Sequence, residues 1–149
     1  MSSMNRKAVR AIVIKDNKLL VMHRNKFGHE YYTLVGGGVK AGETPEHALV
    51  REVREETGLQ ATHARHVFTE EAGDPYGLQL VFLCVCDDGE VALSPHSEEA
   101  HINAMGRNLH TPMWLPLSEL PQVVFRSTKL KEAILHAVKN GFPDQAQTV

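Results

Sequence analysis

Residues 37–59 read GGVKAGETPEHALVREVREETGL, a glycine-rich loop that runs directly into a segment carrying Glu52, Glu55 and Glu56. Thr44 followed by Pro45 is the pattern of a helix start: a side-chain cap, then a proline whose missing N–H and fixed φ do no harm in the first turn. Gly58 stands where a glycine closes a helix, so the spacing predicts a helix over 45–57. At about 100° of rotation per residue, Ala48, Glu52, Glu55 and Glu56 fall in one arc flanked by apolar Leu49, Val50 and Val53. The acids therefore sit at the rim of the packed face. Like charges three and four residues apart repel unless something neutralises them. Arg51 and Arg54 supply part of that charge, and a divalent cation would supply the rest.

The segment resembles the Nudix box, G-x5-E-x7-R-E-U-x-E-E-x-G-U with U an aliphatic residue. Gly37, Glu43, Arg51, Glu52, Val53, Glu55, Glu56, Gly58 and Leu59 fill every specified place, which is far more specific than a lone glycine pattern. One departure stands just before the box. Many members carry proline ahead of the paired glycines, where this chain has Val35; proline there would stiffen the loop without adding a ligand.

The resemblance implies an α+β chain with the Nudix fold, a single domain in which a mixed β-sheet is sandwiched between α-helices. We place that domain at 1–142 and read 143–149 as a flexible tail. The implied activity is a pyrophosphohydrolase that cleaves the diphosphate linkage of a nucleoside diphosphate joined to another group: an NTP or dNTP, a nucleotide sugar or a dinucleotide. A diphosphate resists attack because its charged oxygens repel a nucleophile, and Mg²⁺ or Mn²⁺ answers that repulsion while needing only a few carboxylates beside the phosphates. By the resemblance Glu52 and Glu56 are direct metal ligands, Glu55 a further carboxylate, and the backbone carbonyl of Gly36 another donor. Glu52 is the first choice for the general base, with Glu98 and Glu99 as competitors. Glu43 and Arg51 correspond to a salt bridge that pins the loop to the helix; Gly37 and Gly58 complete the structural positions of the box.

Outside the box the chain is read from pattern alone. Ala8 to Ile14 and Lys18 to Arg24 are β-rich runs around Asp16-Asn17, a tight hairpin turn. Tyr31 to Leu34 leads into the glycine loop, and Ala64 to Thr69 with Leu78 to Cys86 forms a second strand pair. Residues 87–111 read as a long polar loop, a kind of segment that often carries function. Leu117 to Leu120 is one helical turn. Ser127 to Lys139 has the apolar spacing of an amphipathic helix. Cys84 and Cys86 share a strand face two residues apart, poorly placed to bridge, and read as free core thiols.

A chain of 149 residues with formal charge −2 has enough length to bury a core without staples and shows no basic stripe for nucleic acid. No apolar run approaches the length of a membrane span. These features predict a cytoplasmic protein acting on a small nucleotide, with no nucleic acid or membrane partner; a homodimer follows from the resemblance. Candidate substrate contacts are Arg24, Tyr32, Glu98 and Glu99, with Lys26, Phe27, Tyr31 and Trp114 as weaker ones. In the stretch Asp74-Pro75-Tyr76-Gly77, proline and tyrosine stand at offsets that sort family members in opposite directions, and a β-turn with proline second is the plainer reading. Two other functions stay open: a noncatalytic Nudix-fold binding or regulatory module, and an RNA 5′-pyrophosphohydrolase.

Overall fold

The computed structural model describes residues 6–149, in chain order β1 (Lys7–Ile12), β2 (Ile14–Lys15), β3 (Lys18–Lys26), β4 (His29–Thr33), β5 (Val35–Gly38), α1 (Pro45–Thr57), β6 (Ala61–Glu71), β7 (Leu78–Cys86), α2 (Glu98–Asn103), β8 (Asn108–Pro116), a 3₁₀ turn over Leu117–Gln122, α3 (Thr128–Asn140) and β9 (Gln147–Thr148). The run expected at 8–14 is broken after Ile12. Asp16 and Asn17 both take positive φ, 51° and 61°, the geometry of a tight hairpin whose twist matches its strands.

Two sheets result. One is mixed, in the order β5-β1-β7-β6-β9, with β1 parallel to β7 and antiparallel to β5. The other is antiparallel and centred on β3, which pairs with β8 along its full length and with β2 and β4 elsewhere. Strand alternation sends side chains to two cores. Val9 and Ala11 of β1 join Leu20, Met22 and Phe82 beneath Ala48, Leu49 and Val53 of α1. Ile12 joins Leu19, Val21 and Val81 beneath Leu130, Ile134 and Ala137 of α3. Each helix thus covers one apolar layer, as the expected sandwich requires.

Several expectations need correction. β6 starts at Ala61, three residues early, and carries register shifts between Thr62 and Arg65 and between His66 and Phe68; bulges of this kind break the alternation from which the strand was read. Residues 87–111 are not one loop, since α2 and the first residues of β8 lie within them. Helix α2 buries none of its residues and so shows no apolar period. It is held by polar bonds: Ser97 Oγ accepts from Ala100 N at 3.1 Å, and Asn103 exchanges two bonds with the His110 backbone at 2.6 and 2.7 Å. Gln147 and Thr148, inside the segment read as a tail, pair with Phe68 and Thr69 of β6. In the β6–β7 connection Tyr76 N donates to Gly73 O, so proline is third in that turn rather than second. Cys84 and Cys86 are free and buried.

Candidate metal and phosphate site

Helix α1 begins and ends where the caps predict. Thr44 Oγ1 accepts from His47 N at 3.2 Å, and Gly58, at φ 79°, donates its N–H to Arg54 O. With its apolar side on the mixed sheet, the helix turns Glu52 and Glu56 inward, 8% and 5% exposed, and leaves Glu55 half-buried at the rim.

The glycine loop is shaped by close approach. A Cβ on Gly36, at φ 149°, would lie 1.9 Å from Val9 O, and one on Gly37 would lie 2.6 Å from the Glu52 carboxylate. Only glycine lets β5 pair with β1 while the helix acids press against it. Gly36 N donates to Glu56 Oε2 at 3.1 Å. Val35, in the place of the missing proline, is fully buried in the layer under α1 and paired with Ala11.

Arg51 holds this corner together. Its Nε and Nη2 grip Glu43 in a two-pronged pair at 2.7 and 2.9 Å, Nη2 also reaches Gly38 O at 3.0 Å, and Nη1 donates to Glu52 at 2.9 Å and Glu55 at 3.3 Å. The Arg51 bonds and the Lys40 N–H hold the Glu43 carboxyl down at about 2. One guanidinium therefore links loop, helix and inner acids, the brace that the box pattern implied.

Across a cleft of about 530 Å³ from α1 stands α2, bringing Pro95 to Glu99 and His101 to the opposite wall, with Lys40 at the rim. Carboxylate oxygens of Glu52, Glu56 and Glu99 come within 4.8 Å of one another. Burial pushes all three pKa values up. For Glu56 the Arg10 charge opposes that rise while Glu52 and Glu99 add to it; for Glu99 the Glu52 charge adds to it. Three desolvated acids at this spacing carry more negative charge than Arg51 and Arg10 offset, and a hard divalent cation with oxygen ligands fits them. The group differs from the set read off the box: Glu99 joins it from α2, while Glu55 faces Arg51. Glu98 is exposed on the cleft wall.

A second cleft, of about 610 Å³, lies between β3–β4, the β6–β7 turn and the start of α3; Arg24, Tyr31 and Arg126 line it. Tyr32 lines neither cleft and stacks on His23 at 4.9 Å. Phe27 is 71% exposed, and Trp114 packs against the layer under α1. The residue that sequence reasoning missed is Arg10. It donates to Gln79 Oε1 at 3.0 Å and Leu34 O at 3.4 Å; burial pulls its pKa down, with Glu56 and Glu52 pulling it back. A lone cation inside the apolar run 8–14 was the available signal.

Comparison with known proteins bears on the family and the fold. A model of the NUDIX domain matches residues 4–136, and the chain belongs to the Nudix family. It is 34% identical over 119 residues to a NAD-capped RNA hydrolase NudC of Photobacterium profundum, an alignment spanning 79% of this chain and 40% of that protein. An ADP-ribose pyrophosphatase of Methanocaldococcus jannaschii is 33% identical over 128 residues, 83% of this chain and 69% of the relative. The chain spans less than half the length of the NudC relatives it matches, at 40% and 46% of two of them. Among solved structures, an ADP-ribose pyrophosphatase from Streptococcus suis superposes with a TM-score of 0.68 at 18% identity, covering 97% of this chain and 98% of that one. A MutT Nudix hydrolase from Burkholderia pseudomallei gives 0.63 at 23% identity, covering 85% and 94%. At these identities the two structures speak for the fold. Nudix hydrolases in general require a divalent metal. No helix among the described residues is long and apolar enough to cross a membrane.

Proposed function

We propose that this chain is a Mg²⁺- or Mn²⁺-dependent pyrophosphohydrolase acting on a nucleoside diphosphate linked to another group. The observation that carries it is the meeting of Glu52 and Glu56 from α1 with Glu99 from α2 within 4.8 Å, beside a loop that only glycines allow. A cation bound by these acids would neutralise phosphate charge and stabilise the leaving group. Glu52 and Glu56 would hold the ion, Glu56 being fixed by the Gly36 N–H. Glu52 is oriented through Oε1 by Arg51, which ties up the residue first expected to be the base. Glu99 faces it from the other wall, and we assign Glu99 to accept the proton of the attacking water. As the P–O bond to water forms, the anhydride P–O bond breaks and the leaving phosphate departs with the electron pair. Lys40 and Arg51 offset that charge at the rim.

The test is a panel of nucleoside triphosphates, nucleotide sugars and dinucleotides incubated with Mg²⁺, with products identified as phosphate, pyrophosphate or nucleoside monophosphate. A Glu56→Gln protein that folds normally and turns over at the full rate would sink the metal assignment, whereas a wild type that hydrolyses nothing in the panel would favour a noncatalytic module.

The RNA 5′-end reading gains support from relatives named NAD-capped RNA hydrolase. Capped and 5′-triphosphate RNA belong in the same panel, where release of a 5′-monophosphate RNA faster than any small substrate would move the assignment there. The homodimer expected from the resemblance is read directly by light scattering.

A further inference from the structure

We propose that the second cleft binds a phosphate carried on the sugar of the substrate's nucleoside, a group additional to the diphosphate that is cleaved. Its place in the substrate rests on the pyrophosphohydrolase reading; the binding itself does not. The cleft shares no lining residue with the metal cleft, which Lys40 and Arg51 line. Arg10 connects them, lining the second cleft while its charge faces Glu56 and Glu52.

Arg24, Lys26, Arg126 and Lys129 face this cleft together with Glu70 and Glu71. One oxygen of Glu70 is taken by the Ser127 hydroxyl. None of the four cations forms an ion pair among the described residues. Arg24 Nη2 donates to Asn108 Oδ1 at 2.6 Å, yet its Nε is closed off from solvent with no hydrogen-bond partner. A buried donor left unpaired is costly and asks for an acceptor. The Tyr31 ring, only 6% exposed, carries both guanidiniums, Arg126 at 4.3 Å and Arg24 at 5.6 Å from its centroid, and so sets their positions.

Helix α3 opens onto the same cleft through Ser127, Thr128 and Lys129. Ser127 Oγ accepts from Leu130 N at 3.1 Å, while the first-turn N–H groups of Thr128 and Lys129 have no partner within the helix. Guanidiniums and a helix N-terminus converging on one space select a phosphate dianion, which takes paired N–H donors. A neutral base or sugar there would leave the cations unanswered.

The experiment measures binding by the metal-free protein of adenosine 2′,5′-bisphosphate, adenosine 3′,5′-bisphosphate, AMP and inorganic phosphate by calorimetry. We expect at least one bisphosphate to bind about tenfold or more tighter than AMP, since its added charge meets paired donors. The double variant Arg126→Gln/Lys129→Gln, altered only at exposed positions, should bring that ratio close to one. Equal binding of AMP and both bisphosphates by the wild type overturns the proposal. So does a ratio that survives in the double variant, including the case where all ligands weaken alike, which would place the ordinary 5′-phosphate in the cleft. Failure of the wild type to hydrolyse any anhydride with Mg²⁺ would instead overturn the pyrophosphohydrolase reading, leaving the binding ratio to be judged on its own.

Discussion

The carboxylate of Glu52 occupies the space that a side chain on Gly37 would fill, with 2.6 Å between that Cβ and Oε1. The glycine thus determines where an inner acid of the cleft rests. Gly37→Ala should displace Glu52 and disturb its bond to Arg51. Overpacking of this kind costs about 1–3 kcal/mol, and a shift of about 1 Å in a catalytic group costs about 100-fold in rate. Thermal melts beside turnover measurements check both; a fully active Gly37→Ala protein would contradict the geometry.

Arg51→Lys retains the charge and loses the planar fork that grips Glu43 while reaching Glu52. Lysine cannot serve Glu43, Gly38, Glu52 and Glu55 together, so activity should fall at least about tenfold and stability by about 1.5–3 kcal/mol, the worth of a charged hydrogen bond. Denaturant melts and Mg²⁺-dependent turnover of the variant test this. An Arg51→Lys protein matching the wild type in both would show that the brace is unnecessary.

Glu56→Gln should separate stability from function. The buried acid is pushed well up by desolvation, with the Arg10 charge opposing and Glu52 and Glu99 adding to the rise. The neutral amide relieves the repulsion among the acids but takes a counter-charge from buried Arg10, so the metal-free protein should change little in stability. Wild type should gain about 2.7 kcal/mol at a Mg²⁺ concentration about 100 times Kd, a gain the variant should lose along with activity. Melting curves with Mg²⁺ and with a chelator decide this.

Acid sensitivity should come in two windows. Burial and then the Arg24 charge bring the His110 imidazole down to about 4 from 6.5, so between those values the unfolded chain binds a proton that the folded one refuses. Stability from this group is complete above 6.5 and lost as pH falls to 4. Glu43 is held at about 2 from 4.5 by Arg51, so its contribution is present above 4.5 and lost as pH falls toward 2. The desolvated acids Glu52, Glu56 and Glu99, whose pKa values are raised, favour the folded state as pH falls through the upper range, so the His110 contribution is read as a difference. The urea midpoint of wild type should drop relative to that of His110→Asn between pH 6.5 and 4, and a constant difference would show that His110 does not titrate there.

Much of the site could be read along the chain because its parts are local. A cap, a proline, a periodic acidic face and a closing glycine specify α1 from Thr44 to Gly58, since each signal acts within a turn or two. The Glu43–Arg51 brace, between residues eight apart, came from the resemblance to the Nudix box. Glu99 was legible only as one of two candidates. Helix α2 has no buried face to give it a period, and it is the bonds from Asn103 to His110 that set it against the cleft.

The sequence by itself determined the family, the acidic helix and the class of chemistry, because a contiguous motif encodes local backbone geometry and donor type together. The tertiary structure decided which acids meet, that Glu99 rather than Glu55 closes the group with Glu52 and Glu56, and that Arg10, Arg24 and Arg126 converge on one cleft. Those residues come from β1, β3 and the connection just before α3, far apart along the chain. Strand pairing brings Arg10 beside Gly36, and the backbone pairing of the segment before α3 with β4, where Arg126 N donates to Tyr32 O, sets Arg126 over Tyr31. Such neighbours are products of sheet register and helix packing, which no local pattern of residues contains.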